Sequence, residues 1–212
     1  TIEIKDQYAG AAVEYLEMGG VSYRLADSFL GTIENDIIAG TSSRDIIESY
    51  AGNDFIDAGG GNDRILSGDG DDTVFGGEGR NFIKTGNGND LVFSGAGNDI
   101  IVTGDGNDRV EAGGGKNKIL TGAGNDQIST GSGDDLVKGG SGDDVIYAGD
   151  GNNTVYGGRG NDRIVTGSGD DMLIGGPGGD TYVISSLGSD SNTIVDNGNA
   201  AFKKYGWLTW NM

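Results

Sequence analysis

The sequence predicts an all-β solenoid of two parallel sheets, with eighteen residues in each coil. Three observations carry that expectation. From Gly31 to Val183 one nine-residue pattern, x-G-x-G-N/D-D-x-aliphatic-x, runs seventeen times without a break. Its eighth position is aliphatic in sixteen of the seventeen copies. The six residues before each aliphatic triplet are dominated by Gly, Asn and Asp, the residues of tight turns that visit φ > 0.

Thr1 to Leu30 precede the array. Thr1-Ile2-Glu3-Ile4-Lys5 alternates as a strand does, and Val13–Met18 with Val21–Leu25 flank Gly19-Gly20, which reads as a β-hairpin. A short helix over Ala11–Met18 is the alternative; Gly19-Gly20 and the alternation of Val21, Tyr23 and Leu25 favour the hairpin. Residues 1–30 are therefore expected to form an N-terminal strand and hairpin cap.

Residues 31–183 are the array. Its eighth positions are Ile38, Ile47, Ile56, Ile65, Val74, Ile83, Val92, Ile101, Val110, Ile119, Ile128, Val137, Ile146, Val155, Ile164, Leu173 and Tyr182. A three-residue strand centred on each would point that side chain inward. One turn and one strand per nine residues, two strands per coil, give stacked coils closing over a thin aliphatic core. At ~4.8 Å between strands, eight to nine coils make a rod of about 40 Å. Residues 184–212 lose the register and end in Phe202, Tyr205, Trp207 and Trp210, the expected cover for the open end.

Composition narrows the function. Forty-four Gly with a single Pro excludes collagen, and the strict period sets aside a disordered acidic spacer. A net charge of −19 disfavours nucleic acid and anionic membranes and favours cations. No apolar run reaches the ~18 residues of a membrane helix. The chain carries no signal-peptide pattern and starts at Thr1, so it is expected to be processed or part of something longer. With no Cys there is neither a disulfide scaffold nor thiol chemistry.

The sixth position points to a metal. It is Asp36, Asp45, Asp54, Asp63, Asp72, Asp90, Asp99, Asp108, Asp126, Asp135, Asp144, Asp162, Asp171 and Asp180, with Asn81, Asn117 and Asn153 in the remaining copies. Stacked coils would line these carboxylates up ~5 Å apart, a repulsive column unless cations lie between them. Carboxylates and glycine-turn carbonyls make an all-oxygen site suited to Ca²⁺. Zinc is disfavoured without His or Cys. The plainer alternative is that each Asp only caps its own turn.

Gly139-Gly140-Ser141-Gly142-Asp143-Asp144-Val145-Ile146-Tyr147 resembles, nearly letter for letter, the RTX (haemolysin-type calcium-binding) repeat. The segment from Thr1 to Asp27 resembles the strand-rich stretch that often precedes such repeats, and Gly179-Asp180-Thr181-Tyr182-Val183 their usual close. The resemblance implies a right-handed parallel β-roll. In that family calcium lies between successive same-side turns, held by the sixth-position Asp of both and by turn carbonyls. Carried onto this chain, the expected carboxylates are Asp54, Asp72, Asp90, Asp108, Asp126, Asp144, Asp162 and Asp180 on one edge, with Asp63, Asp99, Asp135 and Asp171 on the other. The expected carbonyls belong to Gly86, Gly88, Gly104, Gly106, Gly122, Gly124, Gly140, Gly142, Gly158 and Gly160. The resemblance also implies a module of a larger secreted protein, exported unfolded through a type I channel of a Gram-negative bacterium.

The two edges differ. The first runs Asp36, Asp54, Asp72 and so on to Asp180 with no interruption, and seven gaps between Asp54 and Asp180 are expected to take calcium. The second carries all three Asn, 36 residues apart, so every gap from Asp63 onward has one Asp and one Asn. It is expected to bind more weakly or leave gaps empty, with Arg80 and Lys116 offsetting charge. The turns GTIEND and GTSSRD at Gly31 and Gly40 lack the central glycine and are not expected to bind.

A non-catalytic calcium-binding module that folds on several ions is the leading functional reading. Catalysis by this chain is disfavoured, because it has no His, Cys nucleophile or G-x-S-x-G and no Asp pair stands apart. An adhesive or ice-binding solenoid is the third reading, weakened because Thr85, Thr103, Thr121, Thr130 and Thr166 form no regular T-x-T array. Phe55, Phe75, Leu91 and Phe93 fall on outward positions and form a candidate apolar patch for a neighbouring module, with ordinary strand packing the preferred explanation.

Overall fold

The computed structural model describes residues 28–184 and 190–196 in full, and the backbone alone of Glu3–Ile4, Tyr15–Met18, Val21–Arg24, Asp27 and Ala201–Lys204. Among the described residues there is no helix. Two parallel sheets of ten strands each make up a β-roll. One runs from Asp27–Leu30 to Thr193–Val195, the other from Ile37–Thr41 to Ala201–Lys204, and successive segments of the chain alternate between them. The register is eighteen residues throughout the array, as in Val92 opposite Val110 and Ile101 opposite Ile119.

That register follows from the pattern. A strand of three residues points its middle side chain into the roll, and the eighth-position residues from Ile47 to Leu173 are wholly buried. Two residues on, the first position of the next repeat faces the same way, and Ser67, Thr85, Ser94, Thr103, Thr121 and Thr130 are wholly buried too. The interior is thus wider than one aliphatic residue per repeat. The buried first-position hydroxyls donate to carbonyls one coil on: Thr103 to Thr121 O at 3.1 Å, Thr121 to Gly139 O at 2.8 Å. An ice-binding threonine face is accordingly absent at Thr85, Thr103, Thr121, Thr130 and Thr166, which lie inside.

Before the roll, Tyr15–Met18 and Val21–Arg24 pair antiparallel with Met18 opposite Val21, and Glu3–Ile4 pairs with the first of them. The ladders themselves reach past the array. Asp27–Leu30 pairs with Asp45–Glu48 ahead of the first repeat. Beyond Val183, Met172 stands opposite Thr193 and Thr181 opposite Ala201, so the register lengthens from eighteen to 21 and 20 residues. Parallel pairing needs only backbone, so a coil with a longer turn still adds a rung. Tyr205, Trp207 and Trp210, expected in a terminal cap, lie outside the described residues.

Candidate metal centre

Most turns are built by two glycines and two ladders of side-chain acceptors. In Thr85-Gly86-Asn87-Gly88-Asn89-Asp90, Gly86 has φ 113° and Gly88 φ 137°, values that side chains rarely adopt. Their carbonyls aim at the next turn on the same edge, where a β-carbon on Gly104 or Gly106 would run into Gly86 O or Gly88 O. The expected carbonyl donors Gly122, Gly124, Gly140, Gly142, Gly158 and Gly160 repeat this geometry, each with positive φ and a predecessor's carbonyl against its α-carbon.

The fifth-position ladder runs forward: Asn107 N–H donates to Asn89 Oδ1 at 2.8 Å, and Asn125 N–H to Asn107 Oδ1 at 2.7 Å. The sixth-position ladder runs backward. Asp54 N–H donates to Asp72 Oδ1 at 2.8 Å, Asp90 N–H to Asp108 Oδ1 at 2.9 Å, and Asp144 N–H to Asp162 Oδ1 at 2.9 Å. At these turns, then, one carboxylate oxygen holds the preceding coil rather than capping its own turn, and the other is left over.

The left-over oxygens are the centre of the site. Among the described residues, Oδ2 of Asp54, Asp63, Asp72, Asp90, Asp99, Asp108, Asp126, Asp135, Asp144, Asp162, Asp171 and Asp180 is buried without a hydrogen-bond partner. Those are the twelve carboxylates carried over from the repeat. A buried acceptor left unpaired costs about 1–3 kcal/mol, more when charged. Burial accordingly pushes several of these carboxyls up, Asp90 and Asp162 to about 6 and Asp144 to about 7, with repulsion from nearby Asp residues adding to it. Asp99, which stands between Asn81 and Asn117, is raised by burial alone. Repulsion between successive Asp residues of the first edge adds to the shift at Asp72, Asp90, Asp108, Asp144 and Asp162.

Fourteen Asp and three Asn occupy the seventeen sixth positions in three distinct ways. At the two turns without the central glycine, Asp36 Oδ2 accepts from Thr32 N–H at 2.6 Å and Asp45 Oδ2 from Thr41 N–H at 2.7 Å. Those carboxylates are capped within their own turns. At the glycine turns the twelve Asp keep the unpaired oxygen. At the third kind the amide nitrogens of Asn81, Asn117 and Asn153 donate to turn carbonyls.

First-position glycine has its own cause. A β-carbon at Gly139, Gly157 or Gly175 would collide with Oδ2 of Asp144, Asp162 or Asp180 in the same turn. Past the array, Asn192 Oδ1 accepts from Asp171 N–H at 2.8 Å and extends the backward ladder by one coil. Sequence reading missed Asn192, because the three extra residues take it out of the nine-residue frame. The string Ser191-Asn192-Thr193-Ile194-Val195, a polar pair before a β-branched triplet, was the signal available.

The donor set fits a hard divalent cation. No cluster of three or more acidic side chains gathers among the described residues. An ion here would instead be held by Oδ2 atoms of the Asp column together with second- and fourth-position carbonyls. Oxygen-only ligation of that kind suits Ca²⁺. The outward aromatics stack along their sheet, Phe55 with Phe75 at 5.6 Å and Phe75 with Phe93 at 5.0 Å between ring centroids. Phe75 is paired in register with Phe93, so strand pairing itself brings those rings together. No helix among the described residues is long and apolar enough to cross a membrane.

Comparison with known proteins adds a family. The sequence profile described as RTX calcium-binding nonapeptide repeat (4 copies) matches residues 30–65, 66–101, 95–128, 102–137, 129–164 and 147–182, which together span residues 30–182. No individual curated protein matches the chain.

Proposed function

The chain belongs to the RTX calcium-binding nonapeptide-repeat family, and from that premise we propose that residues 31–183 are a structural module that folds by taking up several Ca²⁺ ions. The twelve unpaired Oδ2 atoms carry this reading. Without a cation, folding must bury a column of carboxylates that burial and mutual repulsion push towards protonation. With cations between the turns the same atoms become ligands, and the binding free energy becomes folding free energy. Seven gaps on the first edge, Asp54 to Asp180, are the principal sites, and the second edge adds to them.

The module acts outside the cell in this reading. Cytosolic calcium is too low to fold it, which suits export of an unfolded chain through a type I channel, and external calcium then drives folding. Its role is non-catalytic: the buried Asp residues repeat one geometry coil after coil, and none is paired with a distinct acid or base. Any enzymatic, toxic or adhesive activity belongs to neighbouring modules of the same polypeptide.

Far-UV circular dichroism during a Ca²⁺ titration, started in EDTA, tests the proposal. The expected result is a cooperative coil-to-β transition that reverses on chelation. A β spectrum indifferent to EDTA would mean that the ladders alone fold the roll and that calcium is incidental.

A further inference from the structure

We propose that Asn81, Asn117 and Asn153 are built-in substitutes for the metal, so that on the second edge calcium-binding gaps alternate with gaps closed by a side-chain amide. The inference rests on the calcium reading of the carboxylate gaps and divides them more finely. The three asparagines occupy the position of the metal-facing Asp and are equally buried. Their Oδ1 does what the Asp Oδ1 does: Asp63 N–H donates to Asn81 Oδ1 at 2.9 Å, Asp99 N–H to Asn117 Oδ1 at 2.9 Å, and Asp135 N–H to Asn153 Oδ1 at 3.0 Å. Those bonds fix which end of each amide is oxygen, because an N–H can face only an acceptor. The nitrogen therefore stands where the unpaired carboxylate oxygen stands in the other turns.

What the nitrogen does there differs in kind. Asn153 Nδ2 donates to Gly151 O at 3.1 Å and Gly149 O at 3.5 Å. Asn117 Nδ2 donates to Gly115 O at 3.4 Å. Asn81 Nδ2 donates to Gly76 O at 3.1 Å, and reaches Ser94 O in the next turn at 3.4 Å. Gly115 and Gly151 are fourth-position residues and Gly149 a second-position one, the carbonyls that elsewhere would face a cation. In an Asp turn, Oδ2 and the fourth-position carbonyl are both acceptors, which a cation between them would satisfy. In an Asn turn the amide hydrogens satisfy the carbonyls directly, and no negative charge is left.

The exposed face of one such gap is closed as well. Lys116 Nζ lies 2.6 Å from Asp134 Oδ2, which spans the turns of Asn117 and Asp135 from outside. A fixed cation and an amide thus do jointly at Asn117 what a bound ion does at Asp99. The gaps entered from Asp63, Asp99 and Asp135 keep an unpaired Oδ2 and bind calcium. Those entered from Asn81, Asn117 and Asn153 do not.

Counting ions by native mass spectrometry at saturating Ca²⁺ tests this. Asn81→Asp, Asn117→Asp and Asn153→Asp are each expected to add one bound ion, and the triple variant three, while Asp99→Asn loses one. Unchanged counts in the three Asn→Asp variants would show that those gaps already held calcium, and would overturn the inference while leaving the calcium reading standing. A wild-type chain that takes up no calcium would overturn both. Anomalous scattering from calcium in wild-type crystals needs no variant to fold: peaks confined to the Asp gaps support the alternation, and peaks in the three Asn gaps overturn it.

Discussion

The backbone N–H of Asp126 donates to Asp144 Oδ1 at 2.9 Å, and that bond leaves Asp144 Oδ2 buried and unpaired. The same carboxylate thus has a structural oxygen and an unpaired one, the oxygen we propose faces the metal. Substitutions that separate the two have different outcomes with and without calcium.

Asp108 shows the separation most simply, since its Oδ1 accepts from Asp90 N–H at 2.9 Å. Asp108→Asn keeps that acceptor and gives Gly106 O a donor, as Asn117 gives Gly115. We expect weaker calcium uptake with the backbone bond kept. Asp108→Ala loses both functions and leaves a buried N–H unpaired, a further cost of about 1–3 kcal/mol. Thermal melts of the two variants in saturating calcium check the contrast; equal losses would contradict it.

Gly106 cannot carry a side chain. Its φ is 140°, and a β-carbon there would drive into Gly88 O of the turn below. Gly106→Ala should therefore cost several kcal/mol, on the order of the backbone strain plus the displaced carbonyl. Calcium affinity should fall with it, because the displaced carbonyl is one of the expected ligands. A calcium-loaded melting temperature within a degree of wild type would refute this account of the fourth-position glycines.

Tyr50 is the counterexample already present. It sits at a second position, where its neighbours on the same edge have Gly68, Gly86 and Gly104, and it holds φ 78° with half of its surface exposed. Little burial offsets that strained backbone. Tyr50→Gly is expected to stabilise the roll by about 1 kcal/mol, the strain relieved less the added freedom of glycine in the unfolded chain. A lowered melting temperature would mean that the ring contributes packing its exposure does not suggest.

The solenoid was legible from the eighth positions alone, because a period of nine with a single aliphatic residue admits few other folds. The sixth positions stood out in the sequence, and the twelve carboxylates we propose as ligands are the twelve with an unpaired oxygen. Less visible were features that depend on neighbouring coils. Nothing in one repeat says that Thr121 Oγ1 will reach Gly139 O eighteen residues on, so the burial of the first-position threonines was not legible. Asn192 escaped because the longer final turn breaks the frame that made the others readable. The Asn81, Asn117 and Asn153 spacing was plain in the sequence, but which atom of each amide faces the carbonyls is a three-dimensional fact.

The last prediction concerns pH, and its sign differs between the two states of the protein. Without metal, burial raises the folded-state carboxyls above the ordinary 3.8, Asp144 to about 7 and Asp90 and Asp162 to about 6. Between those values and about 4 the folded roll binds more protons than the unfolded chain, so its stability falls as pH rises through that window. Acidifying a calcium-free sample from pH 7.5 to 5 should therefore favour the roll, each of these carboxyls contributing on the order of a few kcal/mol at most. With calcium the order reverses, because the ligands must be ionised and protons compete for the same oxygens. The midpoint of the calcium titration should move to higher concentration as the pH falls from 7 to 5. Circular dichroism melts at pH 5 and 7.5, in EDTA and in calcium, measure both slopes. Two slopes of the same sign would mean that the unpaired oxygens are not where calcium binds.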